Sequence, residues 1–250
     1  MIYSSEALIL SRRSFGDTSI ICNLFTKEYG RVSIISKGAR TLKNQNRAIL
    51  QPLQFIDMHY YYKPSRNIQI LKEATINRYF YAIHNYYNKL IFSYNIIDLV
   101  NQVCKTENPN KIIFRLVKTV LIKINNSDKN KIEIYHTFFI LQLLKYLGFQ
   151  LMIDKCNICD SDLHHAYYHS TIGQLVCKNC HENNHFQHNI SLDSMQLSTI
   201  QWLSKTHIDK LLSISPSSHS NLTQIYKYLL YYMSYHIINI KNLKSLQLMQ

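Results

Sequence analysis

The stretch SEALILSRRSFGDTSIICNLFTKEYGRVSIIS, residues 5–36, decides how the first third of this chain folds. Short apolar runs alternate in it with turn residues at Gly16-Asp17 and Tyr29-Gly30, a pattern that indicates antiparallel strands joined by tight turns. The same alternation continues to about residue 77. We therefore predict five strands, over residues 5–11, 19–26, 31–36, 49–61 and 67–76.

Five short strands in so short a segment favour a small closed β-barrel, because closure leaves no exposed sheet edge. A barrel of the oligonucleotide-binding (OB) type fits this strand number and spacing. An SH3-like barrel would give much the same pattern, and the strand spacing alone does not separate the two.

Beyond residue 78 the apolar residues recur at three- and four-residue steps, the period of an amphipathic helix. We predict helices over about residues 80–100, up to residue 124 with Pro109 in the first turn, from about 131 to a Gly148 cap, and over 193–212 and 222–240. The sequence thus predicts an α+β multidomain chain. Its predicted parts are a barrel (residues 1–80), a helical domain in two pieces (81–155 and 191–250) and an inserted module (156–190).

Four cysteines dominate the inserted module, spaced as Cys156-x2-Cys159 and Cys177-x2-Cys180. Two CxxC knuckles at this separation supply the four thiolates of a tetrahedral zinc site. Because four cysteines leave no coordination position for water, we expect one structural rather than catalytic Zn²⁺. The module also contains six histidines, which we expect to be exposed or to support the site rather than bind the metal: His164, His165, His169, His181, His185 and His188.

The net charge of +13 is concentrated in the predicted barrel, where residues 1–80 contain 12 Lys and Arg against 5 Asp and Glu. Such an excess favours a polyanionic partner, and nucleic acid is the commonest one, although solubility alone is an alternative explanation. Rings such as Phe25, Tyr29, Phe55 or Tyr60 to Tyr62 can stack on bases, but we expect most of them in the barrel core or as surface filler. The DNA contacts suggested by charge and position are Arg12, Arg13, Lys27, Arg31, Lys43 and Arg47.

Several function classes lack their signatures in this sequence. It contains no Walker-type phosphate loop, no dinucleotide-binding glycine motif and no nucleophile elbow. The longest apolar candidate for a membrane span, residues 138–147, is interrupted by Gln142 and Lys145. We therefore expect a cytoplasmic protein that is not an enzyme.

Five segments, in their order and spacing, resemble the bacterial DNA repair protein RecO family. They are ALIL at residues 7–10, SFGD at 14–17, LFTKEYG at 24–30, ISKGAR at 35–40 and LQPL at 50–53. Asp17 stands where that family often has Glu. Together with the helices, the paired CxxC knuckles and the tail around Leu243-Lys244-Ser245, the resemblance covers nearly the whole chain.

The resemblance implies an N-terminal OB barrel, a helical C-terminal domain and a zinc module. It further implies a cytoplasmic, nucleoid-associated recombination mediator that binds single- and double-stranded DNA and anneals complementary strands. With RecR, such a mediator helps to load RecA onto DNA coated by single-stranded-DNA-binding protein. By matched motif, Lys37 and Arg40 are the implied DNA contacts.

Two readings from other classes stay open at this point. One is a zinc-stabilised adaptor whose basic barrel binds acidic protein tails rather than DNA. The other is a zinc-dependent enzyme acting on nucleic acid, in which chelation would abolish activity and leave the fold intact. A structural zinc site predicts instead that chelation loosens the module itself.

Overall fold

The computed structural model describes residues 1–183, 190–211, 222–239 and 242–248. The chain divides into two compact units. The first unit comprises Met1–Asn126 together with Leu243–Gln250, and the second comprises Ser127–Asn242. The four-part division suggested by the sequence stays a prediction.

Five strands in the first unit close into a barrel, as the sequence predicts. The strands are β1 (Ile2–Phe15), β2 (Ser19–Thr26), β3 (Gly30–Ser36), β4 (Phe55–Tyr61) and β5 (Gln69–Arg78). Their order around the barrel is β1-β2-β3-β5-β4, and β4 pairs with β1 to complete the circle. All pairings are antiparallel except the short parallel one between β3 and β5. The barrel is OB-like.

The barrel interior is filled by the residues that point inward on alternate positions of each strand. It is an apolar cluster that contains a single thiol, Cys22, and a single phenol, Tyr60, among its fully buried side chains. β1 pairs with two neighbouring strands along its length. A bulge between Ile9 and Ser11 bends it, so that it can follow the curvature of the barrel. Its first half pairs with β4 and its second half with β2.

The strand predicted to begin at residue 49 begins at Phe55 instead, so that prediction was wrong for residues 49–54. Asn46–Ile49 form a single helical turn, α1, and Leu53 has a positive φ of 69°. Pro52 cannot donate a ladder hydrogen bond, which excludes a regular strand there. The chain instead touches β1 through hydrogen bonds from Leu53 N to Ile9 O and from Ile9 N to Gln54 O, both 3.0 Å.

The first unit also contains three helices, α2 (Tyr81–Asn85), α3 (Tyr87–Val103) and α4 (Lys111–Asn126). Of these, α3 contacts β1 and α4 packs on the outer face of the barrel. Phe114 of α4 contacts the rings of Phe25 and Phe55, with centroids 5.6 and 5.7 Å apart. The burial of both strand faces explains why these strands are more apolar than strict alternation requires.

Two helix boundaries of the first unit differ from the prediction, and in the second unit the helix predicted over residues 193–212 ends at Lys205 instead. The helix expected over residues 80–100 is interrupted at Tyr86, whose backbone is extended, and so becomes α2 and α3. Pro109 precedes α4 rather than lying in its first turn. The Asn110 side chain caps that helix by accepting a hydrogen bond from Ile113 N at 2.9 Å.

A 3₁₀ segment near the end of the chain, Lys244–Leu248, belongs to the first unit. The Ser245 amide donates to Asp98 Oδ2 of α3 at 2.8 Å, and Asn95 Nδ2 donates to Ser245 Oγ at 3.1 Å. Asn95 and Ser245 are both buried, and leaving either polar side chain without a hydrogen bond would cost folding free energy. Their mutual hydrogen bond avoids that cost.

The second unit is built around α5 (Ile132–Tyr146), in which twelve of fifteen residues are buried. It packs against α7 (Ser194–Lys205) and α8 (Leu222–His236). As predicted, Gly148 ends α5 in the left-handed region, with φ 86°, and Phe149 N donates to Leu144 O. Leu212, Ile240 and the predicted turn at 215–218 lie outside the described residues.

The remaining elements of the second unit form the inserted module and lead into α7. They are β6 (Ala166–His169), β7 (Gln174–Val176), α6 (Lys178–Glu182) and β8 (Ser191–Leu192), with sheet order β7-β6-β8. α7 begins with a capping box in which Asp193 and Gln196 satisfy each other's backbone amides. Within the described ranges, no helix is both long and apolar enough to cross a bilayer.

We predict that Gly30→Ala destabilises the first unit more than Gly16→Ala does. Both glycines have positive φ, +69° and +54°, so each substitution costs about 1–2 kcal/mol of backbone strain. A Cβ at Gly30 would lie 2.5 Å from the backbone of Asn108, whereas a Cβ at Gly16 meets nothing within 4 Å. The clash adds a further ~1–3 kcal/mol, measurable by urea unfolding followed by circular dichroism. Equal losses in the two variants would contradict this.

We also predict that the second unit loses stability in mild acid because of His136, which is 1% exposed in α5. Burial lowers its pKa to about 3, so between pH 3 and 6.5 the unfolded chain binds one more proton than the folded chain. Stability therefore falls as pH drops, by about 2 kcal/mol between pH 7.5 and 5. Trp202, the only tryptophan, lies on α7 and reports unfolding of this unit.

The control for this prediction is His136→Leu, which replaces the titrating imidazole with an apolar side chain of similar size. The variant should show a flatter dependence of unfolding free energy on pH, whatever its absolute stability. An unchanged pH dependence would assign the acid sensitivity to other groups.

Candidate nucleic-acid interface and metal centre

Four arginines line one cavity at an end of the barrel. The cavity has a volume of about 390 Å³ and is bounded by Arg12, Arg13, Ser14, Ile20, Arg40 and Arg47. The end of β1, the start of β2 and the connection between β3 and β4 bring them together. We call this the arginine cavity.

Strand register explains how β1 delivers its arginines. Arg12 lies opposite Cys22, which is in the barrel core, and directly opposed residues share a face. Arg12 therefore continues the inward-facing row of β1 beyond the core. Its guanidinium donates to Arg47 O and Leu50 O, both at 3.3 Å, and so holds the connection that carries Arg47.

Arg40 is fixed from the other side of the cavity. Its guanidinium donates to Gly16 O at 3.0 Å and its amide donates to Thr18 O at 2.8 Å, so it also fastens the β1–β2 turn. Arg13 and Arg47 are exposed, and within the described part of the chain their side chains have no hydrogen bond or ion pair. No carboxylate lines this cavity. The arrangement is suited to binding phosphate groups, since guanidinium pairs with phosphate oxygens in a fork geometry.

The other four predicted cations lie apart from the arginine cavity. Lys37 is exposed just after β3, and Lys43 lines a second, more open cavity together with Lys72 and Glu73. Lys27 pairs with Glu28 at 3.7 Å. Arg31 donates to the backbone and side-chain oxygens of Asn101 in α3, which gives it a structural contact within the first unit.

Most aromatic rings of the barrel are buried or contact one another, whereas Phe15 and Tyr61 are 49% and 44% exposed. Phe25 and Phe55 are 0% exposed, so they are not available for stacking on bases. Tyr3 stacks between Tyr29 and Tyr62, with centroid distances of 4.7 and 4.5 Å, and the edge of Tyr60 meets this stack. The expectation that most of these rings belong to the core agrees with this arrangement.

The four cysteines of the module converge, with every Sγ within 4.8 Å of the others. Cys159 Sγ and Cys177 Sγ are 3.7 Å apart. A regular tetrahedron with Zn–S bonds of about 2.3 Å has S–S edges of about 3.8 Å, so the thiols fit a tetrahedral ion. Four sulfur donors suit zinc, which they would hold with no position left for water.

Local hydrogen bonds shape each knuckle around this cluster. Asp160 N donates to Cys156 O, which closes the first turn, and Asn157 donates through both its amide and its side chain to Leu175 O of β7. Cys177 N donates to Cys156 Sγ at 3.3 Å and so joins the knuckles. The hydrogen bond with the Ser161 hydroxyl lowers the pKa of Cys159 to about 6, which favours the thiolate that binds metal.

The described histidines of the module lie outside the thiol cluster. His181 stacks on Tyr167, with centroids 4.4 Å apart, and His165 tilts against the same ring. His169 is buried and accepts a hydrogen bond from Thr171 N through Nδ1. His185 and His188 fall outside the described residues. The two remaining cysteines, Cys22 and Cys104, are buried in the first unit, and desolvation raises the pKa of both thiols to about 12.

The fold and its sites define a class: an OB-like barrel protein with a cationic cavity and a four-thiol metal cluster in a helical second unit. Two family descriptions match the chain, "Recombination protein O N terminal" over residues 1–80 and "Recombination protein O C terminal" over residues 84–247. The chain therefore belongs to the RecO family, a family of DNA repair and recombination proteins.

Individual relatives named DNA repair protein RecO agree with this assignment. The one from Alkaliphilus metalliredigens is 23% identical over 249 residues, which cover 99% of this chain and 98% of the relative. The one from Caldicellulosiruptor bescii is 25% identical over 215 residues, covering 86% and 85%. The one from Salinibacter ruber is 29% identical over 157 residues, which span 63% of this chain and 60% of the relative.

We predict that the purified protein holds one zinc ion per chain and that Cys159→Ser sharply lowers the metal content. Chelation should speed amide exchange in residues 156–183 and leave the barrel strands protected, because metal binding contributes to folding only where its ligands lie. Cys104→Ala is the control, since it removes a buried thiol outside the cluster. Metal content that Cys159→Ser leaves intact would count against a four-thiolate site.

Proposed function

We propose that this chain is a recombination mediator that binds single- and double-stranded DNA and anneals complementary strands. We further propose that, with RecR, it helps to load RecA onto DNA coated by single-stranded-DNA-binding protein. The observation that carries the proposal is the arginine cavity. In the described part of the chain, the side chains of Arg13 and Arg47 have no hydrogen bond or ion pair, while those of Arg12 and Arg40 donate hydrogen bonds to backbone oxygens. Work on chromosomal DNA would place the protein in the bacterial cytoplasm.

The cavity supplies the phosphate half of such an interaction. Each phosphate that a cation neutralises releases condensed counterions, so binding is driven by charge and weakened by salt. Arg40 and Arg12 are held in place by backbone oxygens, which lowers the entropy lost when DNA binds. Lys37 lies close in sequence to Arg40 and is exposed, so in this proposal it extends the contact along the strand.

Annealing follows from the same charge without any bond-making step. Two DNA strands repel each other, and a protein with a net charge of +13 screens that repulsion when strands meet on its surface. Base pairing then provides the driving force. In this role the metal cluster keeps the second unit folded and takes no part in chemistry.

A second candidate function is an adaptor that binds acidic protein tails. It is favoured by a cavity of about 270 Å³ in the second unit, whose lining includes Lys145, Lys205 and the apolar side chains of Leu141, Leu151 and Ile153. One carboxylate, Asp154, also lines this cavity and accepts a hydrogen bond from the Gln201 side chain at 2.6 Å. Such a groove pairs a carboxylate-binding rim with an apolar floor. Titrating an acidic tail peptide against DNA-bound protein separates the two functions, because an adaptor alone would bind the peptide and ignore DNA.

We predict that Arg13→Ala/Arg47→Ala weakens DNA binding and reduces the slope of log affinity against log salt by about 0.9 per lost contact on duplex DNA and about 0.7 on single strands. These two arginines are chosen because Arg40→Ala would also release the β1–β2 turn. Fluorescence anisotropy over a salt series measures both quantities, and annealing of labelled complementary strands should slow in parallel.

The matched control is Lys63→Ala/Arg66→Ala, which removes the same charge from exposed positions between β4 and β5 of the same barrel. The control should keep most of the wild-type affinity and slope. If both double variants lose affinity equally, bulk charge rather than the arginine cavity binds DNA. If neither does, the cavity is not the interface.

A further inference from the structure

Four tyrosine rings are presented to solvent where the chain leaves the barrel. Tyr79, Tyr81, Tyr86 and Tyr87 are 50%, 69%, 52% and 68% exposed, within nine residues. We call these four rings the tyrosine segment. So many large rings exposed in one short stretch exceed the scattered apolar residues normal for a surface, and they indicate a binding surface.

The backbone that carries these rings is fixed rather than loose. Asn125 of α4 accepts hydrogen bonds through Oδ1 from Ala82 N at 3.0 Å and Ile83 N at 3.3 Å. Its carbonyl accepts from Lys89 Nζ at 2.7 Å. Asn125 thus holds α2, which begins at Tyr81, and the first turn of α3, which begins at Tyr87, and rings on a fixed backbone lose little entropy on binding.

The charge around the tyrosine segment is complementary to a polyanion. Residues 74–97 contain no Asp or Glu, whereas Arg78 is exposed beside Tyr79. Lys89 is buried, and its ammonium lies 5.8 Å from the centroid of the Tyr86 ring, so it positions that ring rather than facing a ligand. The nearby carboxylate of Asp57, on β4, accepts a hydrogen bond from Asn77 of β5 at 2.8 Å. Exposed rings beside an exposed cation, here Arg78, are typical of surfaces that bind single-stranded nucleic acid.

We propose that the tyrosine segment is a base-stacking platform for single-stranded DNA, separate from the arginine cavity. The inference rests on the proposed function, because it assigns a second contact for the same ligand. The arginine cavity has no aromatic side chain among its lining residues, and Phe25 and Phe55 of the barrel are buried. The arginine cavity therefore provides contacts to phosphates, while the tyrosine segment provides the faces on which unpaired bases stack.

The test compares oligothymidylate with an abasic oligonucleotide of the same length and charge. Tyr81→Ala/Tyr87→Ala, which removes the two most exposed rings, should lower affinity for oligothymidylate about tenfold or more. Affinity for the abasic strand and the salt slope should not change, because tyrosine neutralises no phosphate. Tyr81→Phe/Tyr87→Phe should bind like the wild type, since phenylalanine keeps the ring face.

The control is Tyr61→Ala/Tyr146→Ala, which removes two other rings that are 44% and 43% exposed. It should bind oligothymidylate normally. Undiminished binding by Tyr81→Ala/Tyr87→Ala, or an equal loss on the abasic strand, overturns the platform while the proposed function stands if the wild type binds. A wild-type protein that ignores oligothymidylate at low salt overturns both.

Discussion

Closure of the barrel through β1 is the constraint on which the rest of the first unit depends. β1 pairs with β4 only from Ile2 to Leu8, whereas its pairing with β2 runs on to Phe15. Beyond Leu8 one edge of β1 has no strand beside it, and an open edge must be covered or blunted. The connection between β3 and β4 covers this edge. It is held there by backbone hydrogen bonds to Ile9 and by the hydrogen bond that the Arg12 guanidinium donates to Arg47 O. The arginine cavity is thus a consequence of how this edge is closed.

The same barrel uses most of its aromatic rings for packing, and this determines where nucleic-acid chemistry can occur. Both strand faces are apolar because helices cover the outside, so Phe25 and Phe55 contact Phe114 instead of solvent. At the start of β1, the rings of Tyr3, Tyr29 and Tyr62 stack on one another. The arginine cavity and the tyrosine segment have no residue in common, and a ligand with both phosphates and bases is the one that would use both.

The sequence pattern predicted correctly those features that depend on residues close together in the chain. The bounds of β2 agree with the sequence pattern because Gly16 and Gly30 stand at its two turns, and the CxxC spacing predicts the pair of thiols within each knuckle. Residues 49–54 were assigned wrongly because their apolar pattern reflects packing on β1 rather than pairing in the sheet. Arg31 binds Asn101, seventy residues away in the sequence. This contact depends on how α3 packs on the barrel, so the charge and position of Arg31 in the sequence did not predict it.

Hydrogen bonding and charge both act on the thiol cluster. Hydrogen bonds from Asn157 to Leu175 and from Cys177 to Cys156 Sγ join the two knuckles. Four thiolates held this close repel one another, so without a cation some must stay protonated, and Cys180 accordingly has its pKa raised to about 12 by hydrogen bonding with Cys159. A divalent ion removes that conflict by charge neutralisation. Metal binding and folding of the module are therefore linked through proton release, which makes the stability of this part of the chain depend on pH as well as on zinc.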